Sequence, residues 1–356
     1  MIFIIDTNLY LPYFDQPDIY HHFKVAVQVK KMVDHAMLND FIRGTIWVLS
    51  IIGKIIIFYA CTIPIFAVAS TRQEIKIWRK TKTPLTYFGI LKVLIFNLMW
   101  MAISLVGALS LIPMWLQRGC SPNAVAVEAN AVIEKICAYV ITEAFIGTVE
   151  IINEEKIPHV AFVDGKAPAP VFIANHCSQL DVSSVYYAVR RFKWIAKKSV
   201  GYIPGPGNLM FLGNHVLIQR KGKNSKSVSN LYTLCNESIQ SGLPIVVFPQ
   251  GTRRMHQKLP FKDGAFRIAT ENESTLVPLT IDVPENCWNS YYPLNLLWVG
   301  KRGEENKIKI TVHDPIPVKK DADIKSLKLK CQDTIYSALS SRYHCHVLDG
   351  KDTKAE

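Results

Sequence analysis

The chain has 356 residues, 49% of them hydrophobic and 20% charged, with a formal net charge of +12. That length allows one large domain plus an accessory segment, and a mean hydropathy of +0.14 with the apolar residues in clusters points to a membrane segment. The positive balance favours anionic partners; with no zinc-finger spacing, RNA-recognition signature or basic region running into heptads, nucleic acid is set aside in favour of lipid and phosphate.

Met1–Ile5 is apolar but too short for a signal-peptide core, and Asp6 follows it at once. Residues 13–43 predict helix. Thr45–Ser70 then carries only Lys54, and Val93–Leu116 carries no charge. Each exceeds the ~20 apolar residues that cross a bilayer. Pro64 and Pro113 are tolerable where neighbours satisfy the freed backbone. The connector Thr71–Thr83 sets Arg72, Lys76, Arg79, Lys80 and Lys82 against Glu74, which places it on the cytoplasmic side. Two full spans would carry everything after residue 117 to the other side. A hairpin dipping into one leaflet keeps connector and downstream domain on one face, against anionic headgroups, and is the expected arrangement. A glycan at Asn236 or Asn272, each in a sequon, would place the domain in the lumen instead.

Residues 124–147 set Val132, Ile133, Ile136, Cys137, Val140, Ile141, Ala144 and Phe145 at helical spacing, with Glu134, Lys135 and Glu143 off the stripe. This amphipathic helix either packs on the downstream domain or lies on the membrane. From about 148 short apolar runs alternate with helical stretches. The runs are Val171–Ala174, Val216–Ile218, Ile245–Phe248, Leu276–Ile281, Leu296–Val299 and Ile308–Val312. Helices are expected from about 181, near 226–240 and over Asp321–Ser341. The pattern predicts an α/β fold: a largely parallel sheet flanked by helices, with an N-terminal helical membrane anchor. The expected division is an N-terminal segment (1–43), a hairpin with its connector (44–120), a linking helix (121–150), the main domain (151–345) and a tail (346–356).

The eight cysteines form no CxxC and no framework of pairs, which suits thiols in a reducing compartment. His344-Cys345-His346 lacks the second half that a four-ligand metal site needs, so no metal is expected.

A His with an Asp five positions on occurs four times: His35/Asp40, His159/Asp164, His176/Asp181 and His344/Asp349. Spacing alone therefore decides nothing, and position does. Only His176 follows an apolar strand and opens a helix, the strand end where open α/β sheets bind ligands and where helix amides suit an anion. A second block, Phe248-Pro-Gln-Gly-Thr-Arg253, also ends a strand. Gly251 allows close backbone approach, while Thr252 and Arg253 offer a hydroxyl and a fork of donors that suit phosphate. A third, Gly213 to Arg220, puts Arg220 just past a short strand. A fourth, Leu276-Val-Pro-Leu279, is an apolar strand with Pro278 at its edge. Gly201–Gly207, stiffened by two prolines, reads as a loop beside the acceptor.

In this order the blocks resemble the glycerolipid acyltransferase family typified by 1-acylglycerol-3-phosphate acyltransferase, over about 148–318. Asn175-His176…Asp181 fits the NHxxxxD box and Ala196-Lys197-Lys198 its following lysines. Gly213…Ile218-Gln-Arg220 fits the second box, Phe248–Arg253 the third and Val277-Pro278 the fourth. Phe261–Phe266 and Val312–Ile316 are also similar to family segments. One position departs: the family's third box reads FPEGTR, and Gln250 stands for the glutamate, where it is expected to brace the loop through hydrogen bonds. The resemblance implies acyl transfer from a thioester, acyl-CoA or acyl-ACP as co-substrate and no cofactor, to the sn-2 hydroxyl of lysophosphatidate. Glycerol-3-phosphate or another lysophospholipid is the alternative acceptor, and an inactive membrane scaffold the non-enzyme alternative. His176 would be the general base and Asp181 its orienting partner. Lys197, Arg220, Gly251, Thr252 and Arg253 would bind substrate, with Asn175, Gln250 and Pro278 in support. Backbone amides at the start of the helix after His176, or at Gln250-Gly251, would receive the oxyanion. Cys177 is the rival nucleophile, awkwardly placed because neighbours on a helix point ~100° apart. The implied setting is an endoplasmic reticulum membrane, with plastid envelope or bacterial inner membrane as alternatives, and a catalytic domain facing cytosol or stroma.

Overall fold

The structure, a computed structural model, describes residues 17–83, 85–117, 119, 129–145, 147, 149–158, 168–219, 225–284 and 307–345. The chain divides into two compact units, Met1–Cys61 and Thr62–Glu356. Helix α1, Pro17–Lys80, supplies the described part of the first and opens the second. Helix α2 spans Tyr87–Gln117. Both are long and apolar enough to cross a membrane by length and composition. Only 6% of the most apolar stretch of α1 is buried, and 33% of that of α2; the core helix of a soluble protein would be mostly covered.

The second unit is built on α/β alternation. Helix α3 (Ala129–Phe145) leads to β1 (Glu150–Ile152), β2 (Val171–Ala174), α4 (Leu180–Ala188), β3 (Lys193–Lys197), α5 (Pro206–Leu212) and β4 (Val216–Ile218). There follow α6 (Ser225–Gln240), β5 (Ile245–Val247), β6 (Gln257–Lys258), α7 (Gly264–Glu271), β7 (Leu276–Asp282), β8 (Lys309–Val312), α8 (Ile324–Ser337) and β9 (His344–Cys345). Among the described residues seven strands form one sheet in the order β1-β8-β7-β2-β5-β3-β4. From β7 to β4 all neighbours are parallel; the β7–β8 pair is antiparallel and reverses β8 and β1. A small parallel pair joins β6 to β9.

The period-two rule sorts the core. Phe172 and Ala174 of β2 pack with Ile141 and Phe145 of α3 and Leu180 and Val185 of α4. Val171 and Ile173 turn to the other face, against Ile239 of α6, Phe266 and Ile268 of α7 and Ile335 of α8. All four residues of β2 are buried, as expected of a parallel strand covered on both sides. Pro278 lies inside the sheet rather than at an edge: β7 has β2 on one side and β8 on the other, with Pro278 opposite Ile173. It is tolerated because its missing amide would face the segment after β8, from which His313 donates its N–H to the Pro278 carbonyl.

Several stretches differ from the sequence reading. The Gly201–Gly207 loop is a short 3-10 turn, Lys198–Tyr202, running into α5. Gly205 takes φ +85°, and a β-carbon there would strike the Met101 carbonyl, so glycine lets α5 sit on α2. On α3 the stripe splits. Cys137, Ile141, Ala144 and Phe145 are buried, whereas Val132, Ile136 and Val140 are exposed and Glu134 is buried. The run Leu296–Val299, the N-terminal Met1–Ile5, Cys120, Cys287 and His346 lie outside the described residues.

Candidate active site

The C-terminal ends of β2, β5, β3 and β4 lie side by side along one edge of the sheet. His176 follows β2 by two residues, Phe248 follows β5 directly and Lys197 ends β3. Topology thus gathers blocks that are far apart in sequence. Lys197 is exposed. Arg220, Lys221 and Lys223 lie outside the described residues.

Asn175 fixes the turn out of β2. Its Nδ2 donates to the Ile281 carbonyl and its Oδ1 accepts from the Ile281 N–H, both at 2.8 Å. The side-chain amide thereby continues the β2–β7 ladder one position past the strand. His176 is next, with its backbone groups held by the third block and by the residue that follows it. Its N–H donates to Gln250 Oε1, and its carbonyl accepts from Arg254 N–H at 3.2 Å. Its ring stacks on Phe248, centroids 4.0 Å apart and planes 9° apart, and Phe248 in turn stacks on Trp194.

Asp181 is fully buried, in the first turn of α4. Oδ2 bonds His176 Nδ1 at 2.8 Å and accepts the amides of Cys177 and Ser178 at 2.6 and 2.9 Å. Oδ1 accepts from Ser178 Oγ at 3.0 Å and Cys177 Sγ at 3.4 Å. Two backbone amides and two side chains thus donate to this one buried carboxylate. It directs the Nδ1 proton toward itself and so leaves Nε2 as the basic nitrogen. Among the described residues no group bonds Nε2. Burial, foremost, holds His176 below the ordinary histidine value; Asp181 pulls it back up, Arg253 pushes it down and Glu74 raises it. The imidazole is therefore neutral at pH 7 and can accept a proton.

Gln250 is buried. Besides accepting from His176, it donates from Nε2 toward the Gln257 carbonyl at 3.4 Å. Gly251 takes φ +73°, and a β-carbon there would stand 2.7 Å from Lys262 Nζ, so the lysine stem lies along the glycine. Thr252 and Arg253 are half-buried, and Arg253 Nη2 pairs with Glu74 Oε2 of α1 at 3.3 Å. Three of the expected oxyanion donors are otherwise engaged: the Cys177 and Ser178 amides bond Asp181, and the Gly251 amide bonds the Phe248 carbonyl. Cys177 is buried beside His176. Burial, then Asp181, pushes its thiol well above the usual value, and Tyr343 Oη donates to its sulfur at 3.7 Å.

Three contributors escaped the sequence reading. Phe248 was seen as a strand end, not a platform. Lys262 falls inside the segment Phe261–Phe266, where the sequence alone gives it no role. Glu74 was counted only against the connector's positive charge. The first two could have been sought beside a box already recognised; nothing local marks Glu74 as buried.

Residues 148–282 match the family described as Acyltransferase. A 1-acyl-sn-glycerol-3-phosphate acyltransferase of Chlamydomonas reinhardtii is 34% identical over 156 residues, 43% of this chain and 44% of that protein. One from Helicobacter pylori is 34% identical over 142 residues, 39% of this chain and 57% of the relative. The chain thus spans about half the length of the curated relatives it matches. Among solved structures, the 1-acyl-sn-glycerophosphate (LPA) acyltransferase PlsC of Thermotoga maritima aligns with a TM-score of 0.43 and 18% identity, over 66% of this chain and 93% of that one.

Proposed function

We propose, from the acyltransferase-family domain that this chain carries, that it is a membrane-bound enzyme moving a fatty acyl group from an acyl thioester to the sn-2 hydroxyl of lysophosphatidate, giving phosphatidate. The observation that carries the reading is the His176–Asp181 pair, with Nδ1 bound to a buried carboxylate and Nε2 open at the strand edge. The activity for which both relatives are named supports the choice of acceptor.

An alcohol is a poor nucleophile at neutral pH. His176 Nε2 takes the hydroxyl proton as the oxygen attacks the thioester carbonyl, and Asp181 stabilises the imidazolium that forms. Collapse of the tetrahedral adduct breaks the C–S bond, and the imidazolium returns its proton to the departing thiolate. No covalent acyl-enzyme is needed. Arg253 and Lys262, on the loop beside the base, hold the acceptor's phosphate, with Thr252 adding a hydroxyl; Lys197 extends the cationic edge from the end of β3, and Arg220 is proposed to bind substrate with them. Acyl-CoA or acyl-ACP is the co-substrate, and no cofactor takes part.

The apolar surfaces of α1 and α2 hold the protein in the membrane as a hairpin whose catalytic unit faces the cytosol or stroma. Asn272 is a poor glycan acceptor whatever the side, being buried and bonded to Asn236 Oδ1 at 2.7 Å and the Ile268 carbonyl at 2.8 Å. Protease protection of a C-terminal tag in sealed microsomes therefore reports orientation better than glycosylation.

Purified full-length chain in detergent, given acyl-CoA or acyl-ACP and a panel of acceptors, tests the reading. Phosphatidate formed fastest from lysophosphatidate supports it. Faster turnover of glycerol-3-phosphate or another lysophospholipid moves the acceptor assignment, and no transfer to any of them points to an inactive scaffold.

A further inference from the structure

Beyond α2, six large apolar side chains stand exposed among the described residues: Val132, Ile136, Val140, Tyr202, Phe211 and Leu329. Five of them lie on α3, or on the 3-10 turn Lys198–Tyr202 and the helix α5 that follows it. Both α3 and α5 pack along α2. Single exposed apolar residues are ordinary, but a set gathered around one helix marks a surface. The three on α3 recur every fourth residue. They lie one position, ~100° round the helix, from Ile133 and Cys137, which meet Gly107 of α2. The stripe therefore borders the contact with α2, whose own outer face exposes Val106, Leu109 and Leu116. Lys197 and Lys198, also exposed, stand just before Tyr202.

We propose that this surface is a second membrane contact, by which α2, α3 and the Tyr202–Phe211 segment lie lengthwise in the bilayer interface. It rests on α1 and α2 being the membrane anchor. The second half of α2 cannot cross a bilayer by itself. Ala108 and Leu111 pack with Cys137 of α3 and with Leu209 and Leu212 of α5, so those helices go where α2 goes. α3 carries the exposed Glu143, and Lys197 and Lys198 lead into α5; such charges are costly in hydrocarbon. With α2 lengthwise in the interface, the charges stay among headgroups while the apolar stripes sink by about 5–10 Å, the depth of an interfacial helix. Tyr202 and Phe211 beside two lysines suit that boundary, rings toward the acyl chains and ammonium groups toward anionic phosphates. A second copy of the chain would bring the same lysines and the same net charge of +12, which an anionic bilayer neutralises and a dimer does not. The contact also holds the end of β3, part of the catalytic edge, at headgroup depth, where a lysophospholipid presents its phosphate without leaving the bilayer.

The test photolabels the full-length chain, in vesicles of phosphatidylcholine and phosphatidylglycerol, with a hydrophobic diazirine dissolved in the acyl layer, and locates labelled peptides by mass spectrometry. Label is expected on α1 and α2, on residues 129–145 and on residues 202–211. Helix α8 is the reference: its Leu329 is 45% exposed, as Val140 is 47%, yet it should stay unlabelled. Label confined to α1 and α2 overturns the second contact and spares the anchor. No label on α1 and α2 refutes the anchor, and the proposal with it. Label on α8 as strong as on α3 puts the contact elsewhere on the unit and overturns the proposal as well. A double variant, Ile136→Ser with Phe211→Ser, gives a kinetic reading, since both side chains are exposed and neither belongs to the catalytic edge. Its KM for lysophosphatidate in vesicles should rise about tenfold, with kcat kept and with no change for a short-chain acceptor free in water. An equal rise for both acceptors, or cross-linking between copies that the variant abolishes, assigns the surface to something other than lipid.

Discussion

Among the described residues two buried histidine–carboxylate pairs occur, and they differ in what is left over. His176 bonds Asp181 at 2.8 Å through Nδ1. His215 bonds Glu134 at 2.7 Å through Nε2, and its Nδ1 accepts the Trp194 N–H at 2.9 Å. The second pair is closed. Both ring nitrogens are used, and Glu134 also accepts from Asn130 Nδ2 and Tyr186 Oη, so the cluster ties α3 to β3 and the turn before β4. The first pair is open at Nε2, on a side chain 14% exposed against 2% for His215. The two pairs share distance and burial; the uncommitted nitrogen at a strand edge is what suits His176 to the proposed role of base.

Substitutions that treat the two pairs alike should separate them. The largest effect is expected from His176→Ala, which removes the base and should lower kcat by 10²–10⁴-fold, on the order usual for general base catalysis, with little change in thermal unfolding in detergent. Asp181→Asn should cost on the order of 10²-fold or more in kcat, because the amide cannot enforce the tautomer. It should also lower the unfolding midpoint, since Asp181 holds the turn before α4. His215→Ala should do the reverse: about 3 kcal/mol of stability lost, because Glu134 is stranded in the interior, and kcat kept in the protein that stays folded. If His215→Ala removed turnover as His176→Ala does, the distinction between open and closed pairs would fail. Gln250→Glu keeps the acceptor for the His176 N–H but sets a second oxygen against the Gln257 carbonyl. Turnover should change by less than about tenfold, and a hundredfold gain would show that the site lacks a charge. Smallest of all, Cys177→Ala should leave kcat within about threefold, and its complete loss in a folded protein would restore the covalent route.

How far the sequence disclosed each pair follows from how local it is. His176 and Asp181 lie on one strand-to-helix turn, so an apolar run and a five-residue spacing reveal them. The parallel strands β2, β4, β5 and β7 were equally readable, being short apolar runs between turns, and the structure bears out the α/β class and its largely parallel sheet. His215 and Glu134 are 81 residues apart, and nothing near Glu134 separates it from a solvated acid on an amphipathic helix. The split stripe of α3 has the same cause: helical periodicity shows that an apolar face exists, not which residues a neighbour covers. Glu74 was hidden by its charged surroundings, and β3 by the lysines at both its ends, Lys193 and Lys197.

The pH dependence of acyl transfer by the wild-type chain tests the open pair most directly. The proposed mechanism requires a neutral His176, burial holds its pKa below the ordinary 6.5, and on this account protonation silences acyl transfer only on the acid side. The account predicts that log kcat/KM for lysophosphatidate is flat from about pH 7 to 8 and falls with unit slope through a midpoint below ~6.5, a limb missing from the residual activity of His176→Ala. A controlling ionisation above pH 8, in the range of a thiol, or an acid limb that persists unchanged in His176→Ala, would contradict it.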